Sequence, residues 1–302
     1  VAISAAIPAA GQAAVAVSYS ATAGLLIQGT ASNESIVLKQ VASGQPYLLH
    51  NGPIVTSFSI GAGCRTGTGG IPVECAVTGN RVVTANLGDG ADQIFAFTTG
   101  SPSFGDSFID GGPGNDKLSG GAGNDAIVGG PGDDQLVGHF GADSLNGGDG
   151  NDTIGGSGAG DTYTGGAGDD VFSGDGNNGT QPTVISGGPG NDTLVASFGT
   201  SAVTVTADHF DGGSGTDVAD YHNRQTAQSL STSVAADAPN DGSPGELDDL
   251  DNVETLIGGV ANDTLEVTGP GNLTFTQCAH EHVALPLRQL IARIKGHSRH
   301  RD

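Results

Sequence analysis

From Gly111 to Ser173 the chain repeats every nine residues without a gap: GGPGNDKLS, GGAGNDAIV, GGPGDDQLV, GHFGADSLN, GGDGNDTIG, GSGAGDTYT, GGAGDDVFS. Position six is always aspartate: Asp116, Asp125, Asp134, Asp143, Asp152, Asp161 and Asp170. Position eight always carries one larger apolar residue: Leu118, Ile127, Leu136, Leu145, Ile154, Tyr163 and Phe172. Two units depart from the pattern, with His139 in place of the second glycine and Ser157 and Ala159 in place of the second and fourth. Outlying copies follow at 187–195, 212–220 and 258–266, carrying Asp192, Asp217 and Asp263; LGDGADQIF, with Asp92, precedes the array.

A period this short restricts the fold. Glycines at positions one, two and four let the backbone turn tightly through positive φ and leave its carbonyls unshielded. Positions seven to nine alternate polar, apolar, polar, as a short half-buried strand does. Two units then make one coil of turn, strand, turn, strand, with position eight inside and the turns stacked along two edges. Asp116, Asp134, Asp152 and Asp170 fall in one column, and Asp125, Asp143 and Asp161 in the other. Stacked strands lie about 4.7–4.9 Å apart, so bare carboxylates one coil apart repel. A hard cation taking six to eight oxygens answers that repulsion. Donors that are all carboxylate and carbonyl select calcium over zinc or copper, and a cage rich in carbonyls suits magnesium less well.

The array resembles the RTX (haemolysin-type) calcium-binding family, whose GGxGxDxUx nonapeptides build a parallel β-roll. The resemblance implies several calcium ions between turns one coil apart, held by paired Asp side chains and backbone oxygens of the glycine turns. Carried over, the pairs are Asp116/Asp134, Asp134/Asp152, Asp152/Asp170, Asp125/Asp143 and Asp143/Asp161. Asp92, Asp192, Asp217 and Asp263 join them as candidate ligands from the outlying copies. The turn glycines are Gly111, Gly112, Gly114, Gly120, Gly121, Gly123, Gly129, Gly130, Gly132, Gly147, Gly148 and Gly150. His139, Ser157 and Ala159 put the sites at their turns in question.

Composition agrees with this reading. The chain of 302 residues has 53 glycines, 33 acidic and 10 basic residues, and a formal charge of −23. Such a charge opposes nucleic-acid binding through phosphate neutralisation. Aromatics are only 5%, too few for one thick core. There is no apolar run of about 18 residues, so no transmembrane helix is expected. An acidic chain of this kind is either disordered or neutralised by a multivalent cation. With one larger apolar residue per repeat, the array is expected to be unfolded without calcium and a β-roll with it.

The expected architecture is all-β: a parallel β-roll at 87–195 with its core at 111–173, preceded by a strand-rich region at 17–86. Strands are expected at Leu25–Gln28, Ser35–Leu38, Tyr47–His50 and Ile54–Ile60, either opening the same solenoid or forming a small sandwich over it. Residues 1–16 read either as the remnant of a secretory signal or as an Ala/Val-rich first strand. Cys64 and Cys75 close a Gly/Thr-rich loop as a disulfide, suited to an extracellular protein, or stay free thiols; Cys278 stands alone. Residues 196–275 hold degenerate repeats and an acidic stretch with Asn240, Asp241, Glu246, Asp248, Asp249 and Asp251, which is a further calcium site or a solvated loop. Pro239 at the third ligand position and the absence of flanking helices exclude an EF-hand there. Residues 276–302 form a basic tail in which His280–Lys295 has helical spacing, to dock on the acidic body or touch a membrane.

No catalytic site is expected. HExxH is missing, and the candidate GxSxG stretches fail at Ala159 and Thr216. The reading is a secreted calcium-binding module with no catalytic residues and an unidentified protein or surface partner. The alternatives are a calcium-stiffened cell-surface adhesin or matrix protein, and the non-catalytic part of an RTX hydrolase.

Overall fold

The computed structural model describes residues 15–20, 24–31, 33, 35–40, 47–51, 58–60, 64–66, 73–75, 82–98, 105–158, 160–174, 183–196, 209–220, 229–233, 249–257, 262–268, 274–276 and 280–283. Every regular element among them is a strand. The chain divides into two compact units, Val1–Thr162 and Tyr163–Asp302. Each is a parallel β-solenoid whose strands fall alternately on two faces.

In the first unit, face one runs Gly24–Thr30, Val83–Gly88, Ser107–Asp110, Ala126–Pro131, Ser144–Asp149, all parallel. Face two runs Ser35–Gln40, Gln93–Thr98, Lys117–Ala122, Gln135–Phe140, Thr153–Gly155, also parallel. The register follows the repeat: Ile109, Ile127 and Leu145 are in line on one face, Leu118, Leu136 and Ile154 on the other. All six are buried, none more than 3% exposed. Position eight therefore points inward because its neighbours at seven and nine point out, as strand pleating requires.

Beyond the parallel coils the N-terminal region turns to antiparallel pairing. Val15–Ser20 pairs antiparallel with Gly24–Thr30, and Tyr47–Asn51 antiparallel with Ser35–Gln40. Cys64–Thr66 and Val73–Cys75 pair antiparallel beside them. Gly24–Thr30 and Ser35–Gln40 thus pair in parallel with the next coil, and antiparallel strands flank them at the edge of each face, where unpaired strands would invite association. Cys64 is disulfide-bonded, and the residue directly opposite it in the ladder is Cys75. Residues 1–14 lie outside the described residues, as do Ile54–Ser57 of the expected fourth strand and Cys278.

The second unit repeats the plan with longer coils. Face one carries Val184–Gly190, His209–Gly215, Asp249–Asp251 and, beyond it, Ser229–Ser233. Face two carries Val171–Gly174, Thr193–Ala196, Val218–Asp220, Thr255–Ile257 and Thr274–Thr276. Phe172 and Phe210 meet across its interior with ring centroids 6.0 Å apart at 58°, a tilted aromatic pair. The expected C-terminal helix is not found at its start: His280–Val283 is a strand paired parallel with Asn262–Thr268. The remainder of the tail, 284–302, lies outside the described residues. Asp249 and Asp251, read from sequence as loop, stand in a strand, while Asn240, Asp241, Glu246 and Asp248 are outside the described residues.

Among the described residues no helix is long and apolar enough to cross a membrane. The glycines are needed where coils touch. Gly130 has φ +119°, and a Cβ there would overlap the carbonyl oxygen of Gly112 one coil below. Inward and outward positions should respond differently to truncation. Leu136→Ala empties the interior and should cost ~2–5 kcal/mol in equilibrium urea unfolding. Val137→Ala, at an outward side chain 37% exposed, should cost less than about 1 kcal/mol; equal losses would contradict the assigned pleat.

Candidate metal centre

The chain turns from face one to face two along one edge, the outbound edge, and from face two to face one along the other, the return edge. Each turn ends on the position-six residue, immediately before or at the start of the next strand. The outbound edge of the first unit carries Asp92, Asp116, Asp134 and Asp152; its return edge carries Ser107, Asp125, Asp143 and Asp161. In the second unit the outbound column is Asp170, Asp192, Asp217 and Glu254.

Every step in these columns uses the same hydrogen bond. The backbone N–H of the lower residue donates to one carboxylate oxygen of the residue above it: Asp116 to Asp134 Oδ1 at 2.7 Å, Asp134 to Asp152 Oδ1 at 2.8 Å, Asp125 to Asp143 Oδ1 at 2.8 Å. The array steps are 18 residues, as the repeat requires. The predicted pairs Asp116/Asp134, Asp134/Asp152, Asp125/Asp143 and Asp143/Asp161 are therefore neighbours. Asp152 belongs to the first unit and Asp170 to the second.

The second carboxylate oxygen has different surroundings. Oδ2 of Asp125, Asp134, Asp143, Asp192 and Asp217 is buried and has no hydrogen-bond partner. In Asp125, Asp134, Asp143 and Asp192 it faces the bare Cα of the position-one glycine of its own turn, Gly120, Gly129, Gly138 and Gly187. A Cβ placed on Gly129 would overlap Asp134 Oδ2 and come within 2.6 Å of the carbonyl oxygen of Gly147 in the next coil. A Cβ on Gly111 would meet Asp116 Oδ2 and, at 2.8 Å, Gly129 O; one on Gly187 would meet Asp192 Oδ2 and, at 2.5 Å, Gly212 O. On the return edge, a Cβ on Gly120 would likewise overlap Asp125 Oδ2. Gly112, Gly114, Gly121, Gly123, Gly130, Gly132, Gly148 and Gly150 have positive φ, whereas the position-one glycines Gly111, Gly120, Gly129 and Gly147 do not, so the left-handed turn expected at positions one, two and four is found at two and four only.

A buried ionised oxygen without a partner is costly, and the titration of these groups shows it. Burial pushes Asp134 and Asp143 up to about 7, with the carboxylates one coil away adding to the rise and the accepted backbone N–H opposing it. Burial raises Asp125 and Asp217 to about 6, and Asp152 and Asp192 are raised for the same first reason. The donor set is all oxygen, buried, and in excess of negative charge. It fits a hard divalent cation, and calcium best. Among the described residues no three His, Cys, Asp or Glu side chains converge on one point. A cation here must therefore take much of its coordination from backbone carbonyls.

Some of this was not anticipated. Asp92, expected as a ligand from its outlying repeat, heads the outbound column 24 residues before Asp116; what a strict nine-residue period did not give is its pairing with Asp116 across that longer coil. Glu254 extends the second-unit column: its Oε2 accepts from Asp217 N–H at 2.8 Å, and its own N–H donates to the Asp217 carbonyl oxygen at 3.1 Å. Its signal is Glu-Thr-Leu, which matches Asp-Thr-Leu at 192–194. Asp263 lies inside the strand Asn262–Thr268 rather than at its entry. A second, exposed ladder runs at position five in the opposite sense: Asn151 N–H donates to Asp133 Oδ1 at 2.9 Å, and Ala142 N–H to Asn124 Oδ1 at 3.0 Å.

Stacked acid columns, left-handed glycine turns and a two-faced parallel coil define a cation-binding β-solenoid. The family model of the RTX calcium-binding nonapeptide repeat matches the chain in four copies, over residues 103–136, 128–163 and 184–200. No curated protein and no solved structure matches it. The chain thus carries RTX repeats, and wound into a β-solenoid they make a calcium-binding repeat module.

The raised acids set a sign for pH. Their folded values of about 6–7 lie above the 3.8 of the free side chain. In calcium-stripped protein the stability they confer is full below about pH 4 and lost as pH rises through about 7. Far-ultraviolet circular dichroism of stripped protein should therefore show strand signal growing from pH 7.5 to 4.5. A loss of strand signal on acidification would contradict the burial of these groups.

Proposed function

We propose that this chain is a secreted calcium-binding protein whose repeat array folds when calcium binds, acting as a binding and structural module without a catalytic site. The observation that carries the reading is the orphaned, buried Oδ2 of Asp134, set against a glycine turn and the Gly147 carbonyl of the next coil. Asp116, Asp134 and Asp152, with Asp125 and Asp143 opposite and Asp192 and Asp217 further on, supply the charged ligands. The position-one and neighbouring glycine carbonyls supply the neutral ones. Bound calcium supplies positive charge where the columns concentrate negative charge, cross-linking one coil to the next.

Ligation free energy then becomes folding free energy. Extracellular calcium modules typically bind at roughly 10⁻⁴–10⁻³ M. A chain tuned to that range stays unfolded at cytosolic calcium and folds after export. The disulfide at Cys64 supports an oxidising destination.

Isothermal titration calorimetry of chelator-treated, dialysed protein tests the assignment. Calcium should bind at several sites, and magnesium at equal concentration should leave most of the calcium heat in place. Silence with calcium, or equal heats with both ions, would overturn it.

A further inference from the structure

The repeat places one chemically labile peptide bond at the metal centre. Position nine of the seven array units is Ser119, Val128, Val137, Asn146, Gly155, Thr164 and Ser173. Asn146 alone carries a side-chain amide there, and the residue after it is Gly147, the position-one glycine of the next unit. Asn146 stands in the strand Ser144–Asp149, directly opposite Val128, with its side chain exposed. Gly147 is buried. Its carbonyl oxygen lies 2.6 Å from where a Cβ on Gly129 would sit, in the space shared with the orphaned Oδ2 of Asp134. One peptide bond thus joins an exposed amide to a candidate calcium ligand.

Asn before Gly is the pair in which backbone attacks side chain most readily, because glycine has no Cβ to obstruct the approach and turns most freely. The Gly147 nitrogen bonds to Cγ of Asn146, and its proton leaves with the side-chain nitrogen as ammonia, closing a succinimide. Water then adds to one of the two ring carbonyls and the ring opens. Opening on the side-chain side gives aspartate at 146. Opening on the main-chain side gives isoaspartate, with the chain now running through Cβ and Cγ. Ammonia leaves, water enters, and nothing is oxidised or reduced. Ring closure requires the Gly147 nitrogen to fold back over the Asn146 side chain. The extended backbone of a strand held in the ladder with Ala126–Pro131 opposes that. The folded coil protects the bond, and an unfolded array exposes it.

We propose that Asn146–Gly147 is a deamidation site opened by the loss of calcium, and that isoaspartate formed there keeps the coil from rebuilding its calcium site. The inference rests on the calcium-coupled folding proposed above. The two products differ in consequence. Aspartate at 146 adds a charge to an exposed side chain and leaves the backbone unchanged. Isoaspartate adds a carbon to the main chain between Leu145 and Gly147. A ladder alternates residue by residue, so the register that sets Leu145 against Ile127 no longer brings Gly148 to Gly130 and Asp149 to Pro131. The Gly147 carbonyl is carried away from Asp134 Oδ2 with them. A chain left without calcium is thus progressively retired from binding it.

Full-length protein is aged at mildly alkaline pH in chelator and, in parallel, in saturating calcium, with circular dichroism recorded in each at the start. Peptide mass spectrometry reads the exchange of NH for O at Asn146 separately from Asn51 and Asn178, which also precede glycine, and backbone fragmentation identifies isoaspartate. Conversion at Asn146 should be about tenfold or more faster in chelator, since it follows the population of the opened chain. Weak strand signal in chelator with equal conversion in both conditions, or with none in either, would overturn the inference alone. Full strand signal in chelator would overturn calcium-coupled folding and the inference with it. Once calcium is restored, aged wild type should bind fewer ions in equilibrium dialysis than fresh protein. Asn146→Ser aged alongside, and freshly prepared Asn146→Asp, should each bind as many as fresh wild type. A loss in aged Asn146→Ser as large as that in aged wild type would overturn the inference.

Discussion

The whole array depends on one half-satisfied carboxylate repeated along the coil. Each column aspartate spends one oxygen on the backbone N–H of the residue below it, which locks two coils in register. In Asp125, Asp134, Asp143, Asp192 and Asp217 the side chain is held inside, where the other oxygen has left water and has no hydrogen-bond partner. In Asp134 and Asp143 the resulting penalty brings the group to about 7, so near neutral pH it is poised between charged and protonated forms. The contact that sets the register of the coil therefore also creates its demand for a cation.

Glycine is the other half of the device. Only a residue without a Cβ can stand at Gly129, since a side chain would fill the space shared by Asp134 Oδ2 and the Gly147 carbonyl. The interior contributes little specificity of its own, being a single row of aliphatic and aromatic side chains beneath each face. Where the glycine rule lapses, at His139 and Ser157, hydrogen bonds between neutral groups take over the joining of coils. The position-five ladder of Asn124, Asp133 and Asp169 adds a second set of coil-to-coil bonds on the outside, running in the opposite direction.

Much of this architecture was legible because the period of nine is tied to strand pleating. Once Leu118 and Ile127 are read as inward, Asp116 and Asp125 must fall at the corners, and the 18-residue pairs follow. The pattern lost its power where a coil is longer than two repeats. Asp92 to Asp116 spans 24 residues and Asp217 to Glu254 spans 37, so no fixed period connects them. The antiparallel cover formed by Val15–Ser20 and Tyr47–Asn51 was not distinguishable from further coils, since both are short alternating strands. The tail misled for a related reason: His280–Val283 has helical spacing in sequence, but its backbone groups are taken by the ladder with Asn262–Leu265.

The most direct test of the dependence of this fold on a cation is far-ultraviolet circular dichroism at neutral pH, in chelator and then through a calcium titration. The account predicts weak strand signal in chelator that rises cooperatively as calcium is added and falls again when chelator is restored. Full strand signal in chelator, unmoved by calcium, would contradict it.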